Sequence, residues 1–308
     1  MTAQEILNQT STKTKKIQML LCLGLTRTEV ARMMGIGYGF VQNVYAKLNT
    51  TIQPRTPQFN FDFSRTFGVE IETYGCDQNE LIRILDEKGI QTNHGTRQQR
   101  TNQIWKITCD GSIQGNNAFE IVSPILTGED GLNQLKIVCE ALSQLRAKIN
   151  KSCGLHIHFS ARDFNLTTWK NLYKNYATFE SKIDQFMPES RRANNNRYCK
   201  SIVSGSLSET FRNINAATTL QKLANTISGR SRYYKVNAEA YFRHETVEFR
   251  QHSGTIEFEK IKNWVLFLGR MVEFSKQGVS ASQTLEAAEF LNDDIKTFYQ
   301  ARTTQLSR

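Results

Sequence analysis

The sequence of 308 residues predicts an α+β protein: a largely antiparallel sheet with helices on its apolar face and its polar face open, preceded by a small all-α domain. Three observations carry this. Four stretches, residues 67–72, 119–124, 154–159 and 246–252, alternate apolar side chains with acids, histidines or an arginine. Longer segments between them repeat apolar residues at helical spacing. The first fifty residues break into short helical pieces at glycine turns.

In residues 1–50, segment 14–23 carries Ile17, Leu20 and Leu21 on one side. Thr26 and Glu29 then form a capping box that opens a second helix with Val30, Met33 and Met34 inward. After Gly35 and Gly37 a third helix runs over residues 38–48, with Val41, Val44 and Leu48 inward. Helices meeting at a glycine turn resemble a helix-turn-helix DNA-binding unit, with Tyr38, Gln42, Asn43 and Lys47 as candidate DNA contacts. Six Lys or Arg against two Glu in this segment agree with an anionic partner. A helical docking module is the other reading. The glycines at 35, 37 and 39 follow a helix rather than a strand and lack a phosphate-loop lysine, so a nucleotide loop is not expected.

Residues 51–64, with Pro54 and Pro57 among polar neighbours, read as a linker, and residues 65–308 as the second domain. Helices are expected over 80–88, 130–149, 167–186, 208–227, 258–274 and 282–301, and a strand over 104–109 that ends in an Asp110-Gly-Ser turn.

Successive strand residues face opposite sides of a sheet. Glu70 and Glu72 therefore lie opposite Val69 and Ile71, and His156 and His158 opposite Leu155, Ile157 and Phe159. By the same rule Glu248, Arg250 and His252 lie opposite Val247 and Phe249, and Glu120 joins the acidic set. Such a face repels itself unless cations and anionic ligands fill it. Glu70, Glu72, Glu120 and Glu248 offer more carboxylates than one magnesium needs, which suits two or more ions clamping a polyphosphate. His156 and His158 can ligate metal or donate to phosphate, and Arg250 offers a planar fork, so the apparatus suits ATP with magnesium or manganese. Arg191, Arg192, Arg197 and Lys200, or residues 228–232, can form a basic flap over a substrate carboxylate; a solvated loop is the plain alternative. Cys153 alternates with Leu155 and Ile157 and is expected in the core.

The net charge of +10 favours anionic partners without choosing among them. No run approaches the ~18 apolar residues of a membrane helix. The six cysteines are scattered without a C-x-x-C pair and read as free thiols of a reducing cytoplasm.

The ordered motifs FGVEIE, WKITCDGS, FEIVSP, CGLHIHFS, NRYC, RYYKVN and TVEFRQHSGT resemble the amidoligases over about residues 66–275. These are ATP-dependent carboxylate–amine ligases of the glutamine synthetase-like fold. The resemblance implies metal binding at Glu70, Glu72, Glu120, Glu248, His156 and His158. It also implies nucleotide contacts at His156, His158, Arg197, Arg232, Asn237 and Arg250. Arg250, Asp110 and His252 are the candidate catalytic groups, with Asp110 or a spare glutamate as the base for amine attack. The expected reaction phosphorylates a carboxylate, which an amine of a peptide, protein or small molecule then attacks, and the helical domain can deliver the enzyme to DNA or DNA-bound proteins. A metal-dependent hydrolase or nucleotidyl-transfer enzyme, and a non-catalytic DNA-binding regulator that senses a nucleotide, are the alternatives.

Overall fold

The computed structural model describes residues 2–51, 59–96 and 104–307, with only the backbone for Cys22 and residues 46–51. The chain divides into two compact units, Met1–Gln58 and Phe59–Arg308.

The smaller unit holds helices α1 (Ala3–Asn8), α2 (Lys13–Cys22), α3 (Arg27–Met34) and α4 (Tyr38–Thr51). Thr2, Thr12 and Thr26 cap the first three by accepting a backbone N–H, and Gly35 ends α3 in the left-handed conformation that glycine adopts without strain. Ile6, Ile17, Leu20, Val30, Ala31, Val41 and Val44 form its core. Met33, expected inward, is 39% exposed, because α3 turns its Val30–Ala31 face to the other helices instead.

The larger unit contains β1 (Phe67–Thr73), α5 (Gln78–Glu87), β2 (Thr92–His94), β3 (Trp105–Thr108), β4 (Phe119–Val122) and α6 (Gly128–Gln144). It continues through β5 (Leu155–Ser160), α7 (Leu166–Gln185), α8 (Leu207–Ala216), α9 (Leu220–Ser228), β6 (Val236–Asn237) and α10 (Tyr241–His244), then β7 (Thr246–Phe249), α11 (Phe258–Ser275) and α12 (Asp293–Leu306). The seven strands lie in the order β2-β3-β4-β1-β5-β7-β6, antiparallel except for β2 with β3. The expected mixed α+β architecture with a mostly antiparallel sheet is therefore present.

Alternation works as the pattern requires. Val69, Ile71, Ile121, Leu155, Ile157, Phe159, Val247 and Phe249 are buried in one core with residues of α5, α6, α7 and α11. Helix α11 is buried nearly all round, as an apolar central helix must be, and packs against α6, α7 and β5. Of residues 51–64, expected as linker, 52–58 lie outside the described residues. Phe59 is buried in the larger core, and Phe61 and Phe63 pack on it. No helix among the described residues is long and apolar enough to cross a membrane.

Candidate functional site

Register gathers the polar face. Glu72 stands beside Glu120, Glu70 beside His156, and His158 beside Glu248, which in turn faces Asn237. Five strands thus supply one continuous row.

The side chains meet as well as the backbones. His156 Nδ1 donates to Glu70 Oε2 at 3.0 Å and lies 3.8 Å from Glu248 Oε1, while its Nε2 lies 3.8 Å from Glu72 Oε1. His158 Nε2 is 3.3 Å from Glu70 Oε1 and 3.9 Å from Glu248 Oε1. Arg250 Nη1 donates to Glu248 Oε1, and Asn237 Nδ2 to Glu248 Oε2 at 2.6 Å. Glu72 accepts from the Gly154 N–H at 2.6 Å, and Glu120 from Thr108 Oγ1 at 3.2 Å. Two ligand sets result: Glu70, His156 and Glu248, and Glu72, Glu120 and His156, each with its donor atoms within 4.8 Å of one another.

A neutral imidazole has one lone pair. With Nδ1–H given to Glu70, the His156 lone pair on Nε2 faces the Glu72–Glu120 set. The Glu70–Glu248 side then has its own nitrogen, His158 Nε2, which is buried and close to both carboxylates but in hydrogen-bonding geometry with neither. A buried nitrogen facing two carboxylates is an arrangement that a proton or a metal cation completes. The carboxylate oxygens suit a hard divalent cation such as magnesium or manganese, and the imidazoles also admit softer divalent metals.

Electrostatics agree. Burial pushes the Glu70 pKa up, but His158 and His156 outweigh it and hold the group well below the ordinary carboxylate value. Burial likewise raises Glu248, and Arg250 with the two histidines brings it below its usual value. For His158 burial acts downward, and Glu70 and Glu248 raise it above an ordinary imidazole. These acids are therefore ionised at neutral pH.

Arg197 and Arg232 lie at the rim rather than in the cluster. Both are exposed, and they stack over the rings of Tyr198 and Tyr233 at 4.6 and 5.1 Å. Asp110 lies two residues past the end of β3, and its Oδ1 accepts from Ser112 N at 2.8 Å and Ser112 Oγ at 2.7 Å. His252 departs from expectation. Strand β7 ends at Phe249, so the alternation does not reach residue 252. Its ring lies 5.7 Å from that of Trp264 of α11, buried on the core side, and donates from Nδ1 to the Ser253 carbonyl at 2.7 Å. A catalytic role for His252 is withdrawn on that ground.

Three groups near the face were not singled out as site residues. Arg191, assigned to a flap or solvated loop, is 3% exposed and donates to the Cys153 carbonyl at 2.5 Å. A methyl group on Gly154 would lie 3.0 Å from His156 Nε2 and 3.4 Å from both Arg191 Nη2 and Glu72 Oε2, so this guanidinium borders the cluster. Lys106 is buried on the parity of Thr108 and was findable by alternation; burial lowers its pKa. The Tyr198 carbonyl accepts from Arg250 Nε at 3.3 Å, a backbone contact that no side-chain pattern encodes.

In the smaller unit Tyr38 and Asn43 are exposed on α4, whereas Gln42 accepts from Arg27 Nη1 at 2.8 Å. The side chain of Lys47 lies outside the described residues.

No curated protein matches this chain. A solved structure described as "Crystal structure of novel glutamine synthase homolog" is similar at 11% identity, covering 79% of this chain and 63% of that one, with a TM-score of 0.38. A likeness at that level decides nothing about this chain. The family described as "Putative amidoligase enzyme" matches residues 64–272, which takes in every strand of the sheet and all the acids and histidines of the polar face. The chain therefore belongs to the amidoligase family.

Proposed function

We propose that this protein is an ATP- and magnesium-dependent amidoligase that joins a carboxylate to an amine through an acyl phosphate. One observation carries the reading: four glutamates, two histidines and Arg250 converge on a single sheet face in two adjoining ligand sets. Bound magnesium–ATP would supply the phosphoryl group that activates the carboxylate and, through the cations, offset the charge of the phosphates.

The chain's own groups do the rest. Glu70, Glu248 and His158 form one candidate cation site, and Glu72, Glu120 and His156 the other. Asn237 and Arg250 fix the Glu248 carboxylate from two sides, and the Gly154 N–H fixes Glu72. Arg250 is the guanidinium placed to meet an anion between the cations and the rim, and Arg191 supplies positive charge on the Gly154 side. When the amine attacks, the carbon–oxygen bond to phosphate breaks, inorganic phosphate leaves, and a carboxylate takes the amine proton. Asp110 is the proposed base, with its Oδ1 oriented by Ser112.

Glu70→Gln tests the assignment. The wild-type chain should bind ATP only with a divalent cation, and the variant should lose that binding by about a hundredfold or more while keeping its fold. Metal-dependent ATP binding that survives Glu70→Gln overturns the metal assignment. Turnover should release ADP and phosphate; AMP with pyrophosphate, or product formed without ATP consumption, would instead indicate adenylation or hydrolysis.

A further inference from the structure

We infer that Arg197–Tyr198 and Arg232–Tyr233 form an anion-binding rim beside the active site, and that the carboxylate substrate carries further carboxylates that this rim holds. The inference rests on the ligase reading and specifies its substrate class.

The two pairs are neighbours through the backbone. Lys200 N donates to the Tyr233 carbonyl, Lys235 N to the Lys200 carbonyl, and Arg250 N to the Lys235 carbonyl, each at 2.9 Å. Lys200 and residues 233–235 therefore lie beside Arg250, just past the end of the strand that carries Glu248. The side chain of Arg250 joins the two regions, with Nη1 on Glu248 and Nε on the Tyr198 carbonyl.

Each arginine is ordered in advance. Arg197 lies 4.6 Å above the Tyr198 ring and donates from Nη2 to its hydroxyl at 2.5 Å; Arg232 lies 5.1 Å above Tyr233 with the matching contact at 3.4 Å. The rings meet edge to face at 5.3 Å. The ring face under each arginine is closed to a nucleobase. The pairs present N–H forks instead, which suit carboxylates. Ordering the long side chain beforehand lowers the entropy lost on binding.

Neighbouring basic residues mark the difference. Arg230 is held by both oxygens of Glu239 at 3.1 Å, and the buried Lys235 by Glu180 at 2.9 Å and Asp184 at 2.7 Å. Arg197 and Arg232, equally near, are exposed and form no ion pair among the described residues. Arg230 and Lys235 are thus each neutralised by carboxylates of the fold. For Arg197 and Arg232 the carboxylate comes from the ligand.

Calorimetric titration of the full chain at about 150 mM salt tests this with four probes: end-blocked tetraglutamate, tricarballylate, propionate and magnesium–ATP. Tetraglutamate should bind the wild type far more tightly than propionate, and about tenfold more weakly to the Arg197→Gln/Arg232→Gln variant, with Arg230→Gln close to wild type. Tricarballylate matching tetraglutamate identifies a small polycarboxylate as the source, and tetraglutamate alone an acidic peptide; either result supports the rim if the double variant loses it. The inference is overturned if tetraglutamate fails to bind, binds both proteins equally, or weakens as much in Arg230→Gln, which would signal only the general positive field. A loss confined to magnesium–ATP also overturns it, by giving the forks to the nucleotide. ATP binding that ignores magnesium and survives Glu70→Gln would sink the ligase reading separately, leaving the tetraglutamate comparison to be judged on its own.

Discussion

Burial drives the pKa of His252 down to about 3, so the folded protein holds this ring neutral against Trp264. An unfolded histidine takes a proton near pH 6.5. Between about pH 6.5 and 3 the unfolded chain therefore binds one proton more at this site, and stability rises with pH there by up to about 1.4 kcal/mol per unit. The contribution is complete above pH 6.5 and disappears as pH falls toward 3. Urea unfolding of His252→Asn, which keeps a donor for the Ser253 carbonyl, should show a flatter stability profile across this window than wild type. Identical slopes would mean that the ring is solvated and free to charge. The same residue marks how far the sequence could be read. Alternation located Glu70, Glu72, Glu120, His156, His158 and Glu248 on one face, because each lies inside a paired strand. It misplaced His252 because the strand ends three residues earlier, and pattern alone does not mark that end. Arg191 escaped for another reason. A guanidinium in a polar loop reads as solvated, and only the tertiary contact with the Cys153 carbonyl reveals it as buried.

Loop 188–203 is held from below by a buried ionic network rather than by apolar packing alone. Glu180 accepts from Lys235 and from Ile202 N at 3.0 Å, and Asp184 from Lys235 and from Ala193 N at 2.8 Å. Gln251 Nε2 donates to Asp184 and to the Arg191 carbonyl, and its Oε1 accepts from Tyr176. Lys235 is completely buried, so removing its charge strands two carboxylates. Lys235→Met should lose about 3–5 kcal/mol in denaturant unfolding, because an uncompensated buried charge is far costlier than the pair is worth. Neutralising both partners in the same chain, with Glu180→Gln and Asp184→Asn, should recover much of the loss. Limited proteolysis should cut the single variant faster between residues 191 and 200. A loss below about 1 kcal/mol would mean that water reaches the network. Local chemistry also explains the element boundaries that periodicity missed. The helix expected over 208–227 is two, since Ala217 is extended and Thr219 caps a fresh start at Leu220. The one expected from 282 begins only at Asp293, where Asn292 accepts from Ile295 N. Strands β2 and β6 have three and two residues, too few for any alternation to register.

Two separate cores make the whole molecule thermodynamically composite. Among the described residues the smaller unit has seven buried apolar residues, a small core, while the larger unit encloses a sheet, α11 and several further helices. Heat should therefore melt the chain in two steps, the smaller unit first. A ligand raises only the transition of the unit it binds, by about 2.7 kcal/mol at a hundred times its dissociation constant. Magnesium–ATP should move the later transition upward, and a chelator should abolish the shift, since the acids of the polar face all belong to the larger unit. The DNA-binding role expected of the smaller unit from its sequence makes the complementary prediction. With Tyr38 and Asn43 exposed on α4, duplex DNA should raise the first transition and leave the second in place. The DNA effect should also fade steeply as salt rises, because phosphate contacts release counterions. Scanning calorimetry with each ligand alone separates the two assignments. A first transition indifferent to DNA at low salt removes the targeting role and leaves a docking module. A second transition indifferent to magnesium–ATP removes the nucleotide from the polar face, whatever the helices do.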